Sequence, residues 1–190
     1  MKHVVTHLRK DPVLAKALDR VTLTKLVPHT DYFSDLCETI INQQLSEKAG
    51  ATIWKRFIAL FPKFSPDKVL AMADKKIRAS GISWSKISYI KNIARYSQSV
   101  DLRLLRNMEN ELVISELTKI KGIGQWTAEM FLMFSLGRED IFSYGDLGLK
   151  RAIQKLYAFK KEPTQKQMEK IVVKWSPYRT YACRILWMSL

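Results

Sequence analysis

The stretch that decides the fold runs from residue 120 to residue 134 and reads IKGIGQWTAEMFLMF. Gly122 and Gly124 interrupt an otherwise helical sequence, and a strongly apolar run follows immediately. Glycine permits positive φ angles and lets a ligand approach the main chain, so this pattern predicts a tight turn between two helices. We therefore expect a helix–hairpin–helix at 115–136, in which SELTKI forms the first helix and Ile123 packs into the core.

The second helix of this hairpin has two interpretations. The free amides at its start would bind a phosphate, and the helix dipole would add to the attraction. Alternatively, the motif is a glycine-capped turn without a ligand, and a GxG pattern alone favours that alternative. Trp126, Met130, Met133 and Phe134 share one face, so we expect this helix to be largely buried.

Helical periodicity dominates the rest of the chain. Apolar residues recur at helical spacing over 33–41, over 53–61 and again from Ile87 onward. Ser65-Pro66 marks the start of a short helix, and Pro177 is placed for the first turn of the last one. Strand patterns are poor, so we predict an all-α fold of about nine to eleven helices with short connections.

The charge of the chain favours a polyanionic partner. Lys and Arg total 32, whereas Asp and Glu total 18, and the formal net charge is +14. Nucleic acid is the usual partner of such a protein, and an anionic membrane surface is the lesser alternative.

The two cysteines, Cys37 and Cys183, lie within apolar helical patterns and are predicted to be buried thiols. Two thiols are too few for a four-cysteine iron–sulfur cluster or a Cys-only zinc site. The start of the chain does not resemble a signal peptide, and no apolar run approaches transmembrane length. We therefore expect an intracellular protein that is not secreted.

Asp146 stands out about twenty residues after the hairpin, in the stretch IFSYGDLGLKRA. The residue precedes a short apolar helix, where an aspartate commonly serves as the N-cap. An aspartate at an N-cap is also an oriented, fixed negative charge. A structural role and a chemical role are therefore compatible here.

Four blocks of sequence carry a resemblance to a known family. The stretch LTKIKGIGQWTAEMF together with LGREDIFSYGDLGLKRA resembles the signature of the helix–hairpin–helix DNA glycosylase superfamily. The segments TIINQQLSEKAGATIWKRF, GISWSKISYIKNIA and KWSPYRTYACRILW are similar to further blocks of its DNA-3-methyladenine glycosylase II (alkylbase DNA glycosylase) branch. The resemblance covers Asp31 to Leu190, and four ordered blocks are far more specific than any single one.

The resemblance implies an architecture of two helical lobes with the active cleft between them. Residues 1–190 would form a single compact glycosylase unit and act as a monomer. Lobe 1 would comprise roughly 1–35 plus 145–190, and lobe 2 roughly 36–144. Such a protein would act on DNA in the cytoplasm (nucleoid), or in the nucleus of a eukaryote.

The resemblance also implies an activity. The protein would be a monofunctional DNA glycosylase that flips out and hydrolytically excises alkylated bases of the 3-methyladenine and 7-methylguanine type from double-stranded DNA in base excision repair. One alternative is a glycosylase of the same fold for deaminated or mismatched bases. Another is a DNA-binding module that has lost the chemistry, although a carboxylate such as Asp146 would only repel DNA in a pure binder.

The predicted catalytic residue is Asp146, whose carboxylate would stabilise the positive charge that develops on the sugar. The neighbouring acids Glu129, Glu139 and Asp140 are interpreted as solvated, capping or salt-bridged charges. The resemblance places three residues in the base pocket, where an aromatic face attracts a cationic base by about 0.5–2 kcal/mol; a core position is the alternative for the two tryptophans. These pocket residues are Trp126, Met130 and Trp187.

The predicted DNA contacts fall into three groups. Gln44 matches the position of the family's inserting wedge, and Gln43 precedes it; a polar helix terminus is the alternative for both. Lys86 and Arg179 are candidate phosphate contacts, although a surface charge is the alternative for each. The hairpin would hold a phosphate through Lys121, Gly122, Ile123 and Gly124.

No cofactor is expected, and the iron–sulfur cluster of some relatives is absent. The resemblance does allow a monovalent cation at hairpin carbonyls, for which Ile120 and Gly122 are the candidates. Trp126 occupies the position of the nucleophilic lysine of bifunctional relatives, which indicates an enzyme without lyase chemistry. Two further departures are Met130, where a tyrosine is familiar, and Ser143, where many relatives have proline.

Overall fold

The computed structural model describes the backbone of residues 1–190 and every side chain except that of Glu47. The described chain has twelve α-helices and no β-strand, which confirms the predicted all-α class. There are more helices than predicted, because the shortest ones, such as the first two, span too few residues for the apolar pattern to repeat. The helices are α1 Lys2–Leu8, α2 Pro12–Leu18, α3 Tyr32–Asn42, α4 Glu47–Ile58, α5 Pro66–Ala71, α6 Asp74–Ala79, α7 Trp84–Ser99, α8 Asn110–Thr118, α9 Gln125–Met130, α10 Leu147–Leu156, α11 Gln165–Val172 and α12 Arg179–Met188.

Local sequence signals determine where several helices begin. Ser65 is the N-cap position of α5, which begins at Pro66 as predicted. The hydroxyl of Ser83 accepts a hydrogen bond from the amide of Lys86 and caps α7. The hydroxyl of Ser83 thus satisfies an amide that the helix itself leaves without a partner, whereas the side chain of Ser65 makes no such hydrogen bond.

The start of the last helix differs from the prediction. Pro177 does not lie in the first turn of α12, because α12 begins at Arg179 with Tyr178 as its N-cap. The amide of Tyr178 donates to the carbonyl of Trp175 at 2.7 Å and closes a turn there. The amide of Arg179 donates to the carboxylate of Asp140 at 3.2 Å, so a residue remote in sequence helps to set this boundary.

The chain divides into two compact units. Unit 1 comprises residues 1–28 and 136–190, and unit 2 comprises residues 29–135. The divisions fall earlier than the lobe boundaries expected after residues 35 and 144. The whole of α3 packs against α4, α7 and α9 and therefore belongs to unit 2. Arg138, Glu139 and Ile141 are hydrogen-bonded to Thr180 of α12, and this segment therefore belongs to unit 1.

Each unit has its own apolar core. In unit 1, α12 packs against α2 and α10, around fully buried Trp175 and Tyr181. In unit 2, α3 lies against α4 and α7, and the aromatic rings of Phe33, Phe57 and Phe64 pack together.

The two cysteines are buried free thiols, as predicted: Cys37 lies in unit 2 and Cys183 in unit 1. Burial raises the pKa of both thiols well above the ordinary value, because the thiolate loses its hydration. Across the described residues, no helix is both long and apolar enough to cross a membrane.

Candidate active site and nucleic-acid interface

Asp146 is the N-cap of α10 and is only 9% exposed. Its Oδ1 accepts a hydrogen bond from the amide of Leu149 at 2.7 Å and another from the indole Nε1 of Trp187 at 3.0 Å. The positive end of the α10 dipole also favours a negative charge at this place. The carboxylate is therefore fixed in one orientation by two donors from different helices.

Gly148 allows this arrangement, although the sequence did not single it out. A Cβ at this position would lie 3.1 Å from Asp146 Oδ1 and 3.1 Å from Trp187 Cδ1 and Nε1. The missing side chain leaves the indole of Trp187 enough room to approach the carboxylate. A glycine two residues after a candidate catalytic acid is the sequence signal that could have indicated this packing.

The turn before Asp146 is closed by Ser143. The amide of Asp146 donates to the carbonyl of Ser143 at 3.2 Å, and Ser143 is fully buried. The serine that stands where many relatives have proline therefore lies in an ordered turn that leads directly into the N-cap.

Asp140 and Arg179 form an ion pair in the same unit. Arg179 Nε donates to Asp140 Oδ1 at 2.7 Å, and Arg179 Nη2 donates to Oδ2 at 2.9 Å. Burial alone would raise the pKa of Asp140, but the hydrogen bonds from Arg179 and Ser176 outweigh it and lower that pKa. The salt-bridged interpretation of Asp140 is confirmed. The guanidinium of Arg179, predicted to contact a phosphate, is already engaged by this carboxylate.

The interpretation of Glu129 as a solvated acid is wrong. Glu129 is 6% exposed, and its Oε1 accepts a hydrogen bond from Gln125 Nε2 at 2.9 Å. It is buried because α9 packs against α3 and α8, which cover positions that the sequence pattern leaves polar. Glu139, by contrast, is exposed, and it accepts a hydrogen bond from the hydroxyl of Tyr181.

The hairpin of unit 2 forms where it was predicted, but its first helix runs from Asn110 to Thr118 and not over SELTKI. It consists of α8, a turn through residues 119–124, and α9, which continues as a π-helical segment over Phe131–Ser135. Ile123 is buried, and its amide donates to the carbonyl of Ile120 at 2.9 Å. The prediction that Ile123 packs into the core is therefore confirmed.

The two glycines of the hairpin differ in their reasons for being glycine. Gly122 has φ +110°, and a Cβ there would lie 2.2 Å from Cγ of Tyr89. Gly124 has φ −97° and is the N-cap of α9, where a Cβ would meet nothing within 4 Å. The expected positive φ is therefore found at Gly122, while Gly124 keeps open space in front of the first amides of α9.

The carbonyls of the turn have partners within unit 2. The carbonyl of Lys121 accepts a hydrogen bond from Asn92 Nδ2 at 3.0 Å, and Lys121 itself is exposed. The carbonyl of Ile120 takes the turn hydrogen bond from Ile123. Binding of a monovalent cation at Ile120 and Gly122 remains a prediction. Among the described residues, no group of three or more His, Cys, Asp or Glu could hold a metal ion.

The helix after the hairpin is less buried than predicted on its apolar face. Met130 and Met133 are buried, but Trp126 is 36% exposed and Phe134 is exposed as well. Trp187 is half-buried, so neither predicted pocket tryptophan is a core residue; the fully buried tryptophan of the described chain is Trp175. The indole of Trp126 is therefore partly accessible to solvent in the folded protein.

The turn after α3 carries the two glutamines. Gln44 is exposed and adopts φ +58°, a left-handed conformation that is uncommon for a residue other than glycine. Gln43 Nε2 donates to Thr127 Oγ1 of α9 at 3.0 Å, which ties this turn to the hairpin helix. Both residues therefore lie at an ordered turn of unit 2, and the predicted wedge is the one that faces solvent.

Lys86 has partners that the sequence did not indicate. Its Nζ donates to the carbonyl of Ile41 at 2.8 Å and to the carbonyl of Gln43 at 2.6 Å. The structure gives this lysine an intramolecular role beside the glutamine turn, and its proposed phosphate contact remains untested.

Two exposed apolar side chains near this turn were missed by the sequence reasoning. Trp84, at the first turn of α7, is 56% exposed, and Leu45 is exposed too. Leu45, Ser83 and Lys86 line one small cavity of about 110 Å³. The signal that could have indicated this surface is an aromatic residue directly after Ser83, the N-cap of α7, and outside the apolar stripe of that helix.

The sequence motif and the fold define a class of protein. A profile of the HhH-GPD superfamily base excision DNA repair proteins matches residues 37–177, which include the hairpin and Asp146. The chain therefore belongs to the HhH-GPD superfamily of base excision DNA repair proteins.

Individual relatives of this chain are named 3-methyladenine glycosylases. DNA-3-methyladenine glycosylase 1 of Schizosaccharomyces pombe is 33% identical, with 99% of this chain and 90% of that protein covered. The putative DNA-3-methyladenine glycosylase YfjP of Bacillus subtilis is 30% identical, with 100% of this chain and 69% of that protein covered. These matches confirm the resemblance inferred from the four sequence blocks.

Solved structures of 3-methyladenine glycosylases are also similar to this chain. The 3-methyladenine DNA glycosylase Mag1 of Schizosaccharomyces pombe, in complex with abasic DNA, has a TM-score of 0.87 at 30% identity, covering 97% of this chain and 95% of that chain. The DNA-3-methyladenine glycosidase of Bacillus halodurans has a TM-score of 0.82 at 36% identity, covering 100% of this chain and 89% of that chain.

Proposed function

We propose that this protein is a monofunctional DNA glycosylase that excises alkylated bases of the 3-methyladenine and 7-methylguanine type from double-stranded DNA. Membership of a base excision repair superfamily supports this proposal, as do relatives named 3-methyladenine glycosylases. The net charge of +14 supports DNA as the partner, because a cationic protein attracts the phosphate backbone.

The observation that carries the proposal is the fixed carboxylate of Asp146. Breaking an N-glycosidic bond leaves positive charge on the sugar, and a nearby carboxylate stabilises that charge. The amide of Leu149 and the indole of Trp187 hold the carboxylate in place, so it need not reorient during the reaction. A carboxylate held beforehand in this way is what electrostatic stabilisation of a cationic transition state requires.

The choice of an alkylated base follows from the residues assigned to the pocket. Alkylation at N3 or N7 makes the base cationic and a better leaving group, so little acid catalysis is needed from the protein. The exposed face of Trp126 is suited to attract such a cation, and the thioether of Met130 offers a polarisable apolar wall.

The absence of lyase chemistry is a further part of the proposal. A lyase needs an amine that attacks the sugar carbon, and Trp126 stands where bifunctional relatives have that lysine. Water would therefore be the nucleophile, and the product would be an uncut abasic strand. The hairpin would bind a phosphate at the amides after Gly124, with or without a monovalent cation. The protein would act as a monomer wherever cellular DNA resides.

A glycosylase of the same fold for deaminated or mismatched bases is the second candidate. Methionine at position 130, in place of the familiar tyrosine, supports this second candidate. Loss of a tyrosine hydroxyl from the pocket changes which base edges can be recognised.

The proposal is tested by the release of free base from methylated duplex DNA, measured by chromatography. Asp146→Asn keeps an oxygen that can accept from Leu149 and Trp187 but removes the charge. We expect the variant to bind DNA like the wild type and to release base at least about a hundredfold more slowly. Asp19→Asn, which removes an exposed carboxylate paired with Arg9, is the control and should leave release unchanged.

Each other outcome has a defined meaning. Equal release by the Asp146→Asn variant would show that another group supplies the charge. Strand cleavage without added alkali would reveal a lyase. If duplexes containing deaminated or mismatched bases are processed while methylated DNA is not, the second candidate replaces the first.

A further inference from the structure

The ammonium group of Lys86 lies at the carboxyl end of α3. It donates one hydrogen bond to the carbonyl of Ile41, in the last turn of that helix, and one to the carbonyl of Gln43, just beyond it. Both acceptors are main-chain carbonyls, which a helix end leaves without intrahelical donors. The negative end of the helix dipole adds to the attraction for a cation here.

The segment that Lys86 holds is conformationally unusual. Gln43 ends α3 with φ −50° and ψ 129°, and Gln44 then adopts φ +58°. A side chain disfavours this left-handed conformation, so it persists only where the surroundings determine it. The side chain of Gln43 supplies a second tether through Thr127 Oγ1 at 3.0 Å. Gln44 is thus held in a strained conformation, exposed to solvent, by contacts made at its neighbour.

These contacts favour a role inside the protein over a phosphate contact. Turning the ammonium toward DNA would leave the carbonyls of Ile41 and Gln43 without their donor. Partial burial also lowers the pKa of Lys86 below its ordinary value, because the ammonium is partly removed from water. An exposed lysine of the same unit, such as Lys121, would reach a phosphate without either cost.

We propose that Lys86 is a positioning residue that holds the Gln43–Gln44 turn in the conformation presenting Gln44 to the duplex. Lys86 acts through Gln44 and does not touch the DNA. The inference rests on the proposed function and on the role that the family resemblance implies for Gln44, which is to enter the gap left by the flipped nucleotide.

The salt dependence of binding separates a positioning residue from a phosphate contact. Each phosphate contact contributes about 0.9 to the slope of log affinity against log salt concentration. Loss of a phosphate contact weakens binding to all duplexes alike and lowers that slope, whereas loss of a positioning residue weakens binding only where a base is displaced.

The experiment compares wild type, Lys86→Met, Gln44→Ala and the double variant. Two duplexes are used, one undamaged and one with a tetrahydrofuran abasic site beside 2-aminopurine, whose fluorescence reports unstacking. For Lys86→Met we expect about tenfold weaker binding to the abasic duplex and loss of the fluorescence change. Affinity for the undamaged duplex should stay within about twofold, with an unchanged salt slope.

The double variant tests whether Lys86 acts through Gln44. In the Gln44→Ala background, Lys86→Met should add less than about a further twofold loss, because the side chain to be positioned is already gone. Additive losses would overturn the proposal, and so would a slope reduced by about 0.9 on both duplexes.

Lys91→Met is the matched control. Lys91 also lies on α7, pairs with Asp74, and donates to a main-chain carbonyl, that of Met72, at 2.9 Å. It does not contact the glutamine turn, so its loss should leave discrimination between the two duplexes unchanged. If Lys86→Met proves too unstable to measure, Lys86→Gln takes its place in the comparison of single and double variants. Glutamine keeps a side-chain N–H donor but carries no positive charge.

Failure of this inference can be told from failure of the proposed function, because no readout requires base excision. A wild type that prefers the abasic duplex but releases no alkylated base would contradict the proposed function alone. A wild type that binds both duplexes equally, with no fluorescence change, would overturn the positioning role.

Discussion

Asp11 carries a buried network that the sequence did not reveal. It is 8% exposed, caps α2 through the amides of Val13 and Leu14, and accepts hydrogen bonds from Tyr157 at 2.6 Å and Trp175 at 3.0 Å. Burial by itself would raise the pKa of Asp11, but these hydrogen bonds outweigh it and lower the pKa. Burial, together with the same carboxylate, raises the pKa of Tyr157.

A lowered pKa makes Asp11 a source of acid sensitivity. The stabilisation is complete above the pKa of the unfolded state, ordinarily 3.8, and is lost as the pH falls through the lower pKa of the folded state. We expect Asp11→Asn to reduce the free energy of unfolding at neutral pH by about 1–3 kcal/mol. The variant should also lose less stability than the wild type when the pH falls below about 4. Urea unfolding at several pH values measures both effects.

Asp19→Asn is the control for this prediction. Asp19 is exposed and pairs with Arg9 on the surface, where an ion pair contributes no more than about 1 kcal/mol. If both variants were equally stable at neutral pH, the buried network would contribute nothing beyond an ordinary surface charge.

The hairpin allows a prediction at the level of the element. In Gly122→Ala, the new Cβ would clash with Tyr89 in a backbone conformation that alanine disfavours. We expect a loss of about 2–4 kcal/mol in the free energy of unfolding. In Gly124→Ala, the Cβ meets nothing within 4 Å, and the loss should be less than about 1 kcal/mol, the cost of alanine at an N-cap.

The order of these two variants in DNA affinity should differ from their order in stability. If the amides after Gly124 bind a phosphate, the methyl group of Gly124→Ala stands in its path and weakens DNA binding in a well-folded protein. Unfolding curves and binding isotherms on the same samples separate the two effects. Wild-type affinity in Gly124→Ala would argue for a capped turn without a ligand.

At the scale of the whole molecule, each unit contains one buried thiol. Cys37 lies in unit 2 and Cys183 in unit 1, and burial raises the pKa of both. The reactive species is the thiolate, so we expect neither cysteine of the native protein to react measurably with a disulfide reagent at neutral pH. Both should react rapidly in denaturant.

Single-thiol variants then report each unit separately. Labelling of Cys37→Ser follows the opening of unit 1 through Cys183, and labelling of Cys183→Ser follows unit 2 through Cys37. Rapid labelling of either variant without denaturant would show that its unit opens readily or that its thiol is accessible in the native state.

Much of this protein is determined by local sequence. The helices of the core, the start of α5 at Pro66, the hairpin turn and the capping position of Asp146 follow from apolar spacing, from the preference of proline for a first helical turn and from which residues satisfy the amides of a helix end. These features involve residues within about four positions of each other, so a single sequence is enough to predict them.

Only the tertiary structure decided how particular side chains are used. Lys86 binds carbonyls 43 and 45 positions away, Trp187 donates to a carboxylate 41 positions away, and Glu129 is buried by neighbouring helices. The sequence predicted that Lys86, Trp187 and Asp146 matter, but it did not indicate these intramolecular partners; the phosphate contact of Lys86 and the base contact of Trp187 stay predictions. A side chain takes whichever partner the packing of helices brings within hydrogen-bonding distance, and that distance is not encoded in spacing along the chain.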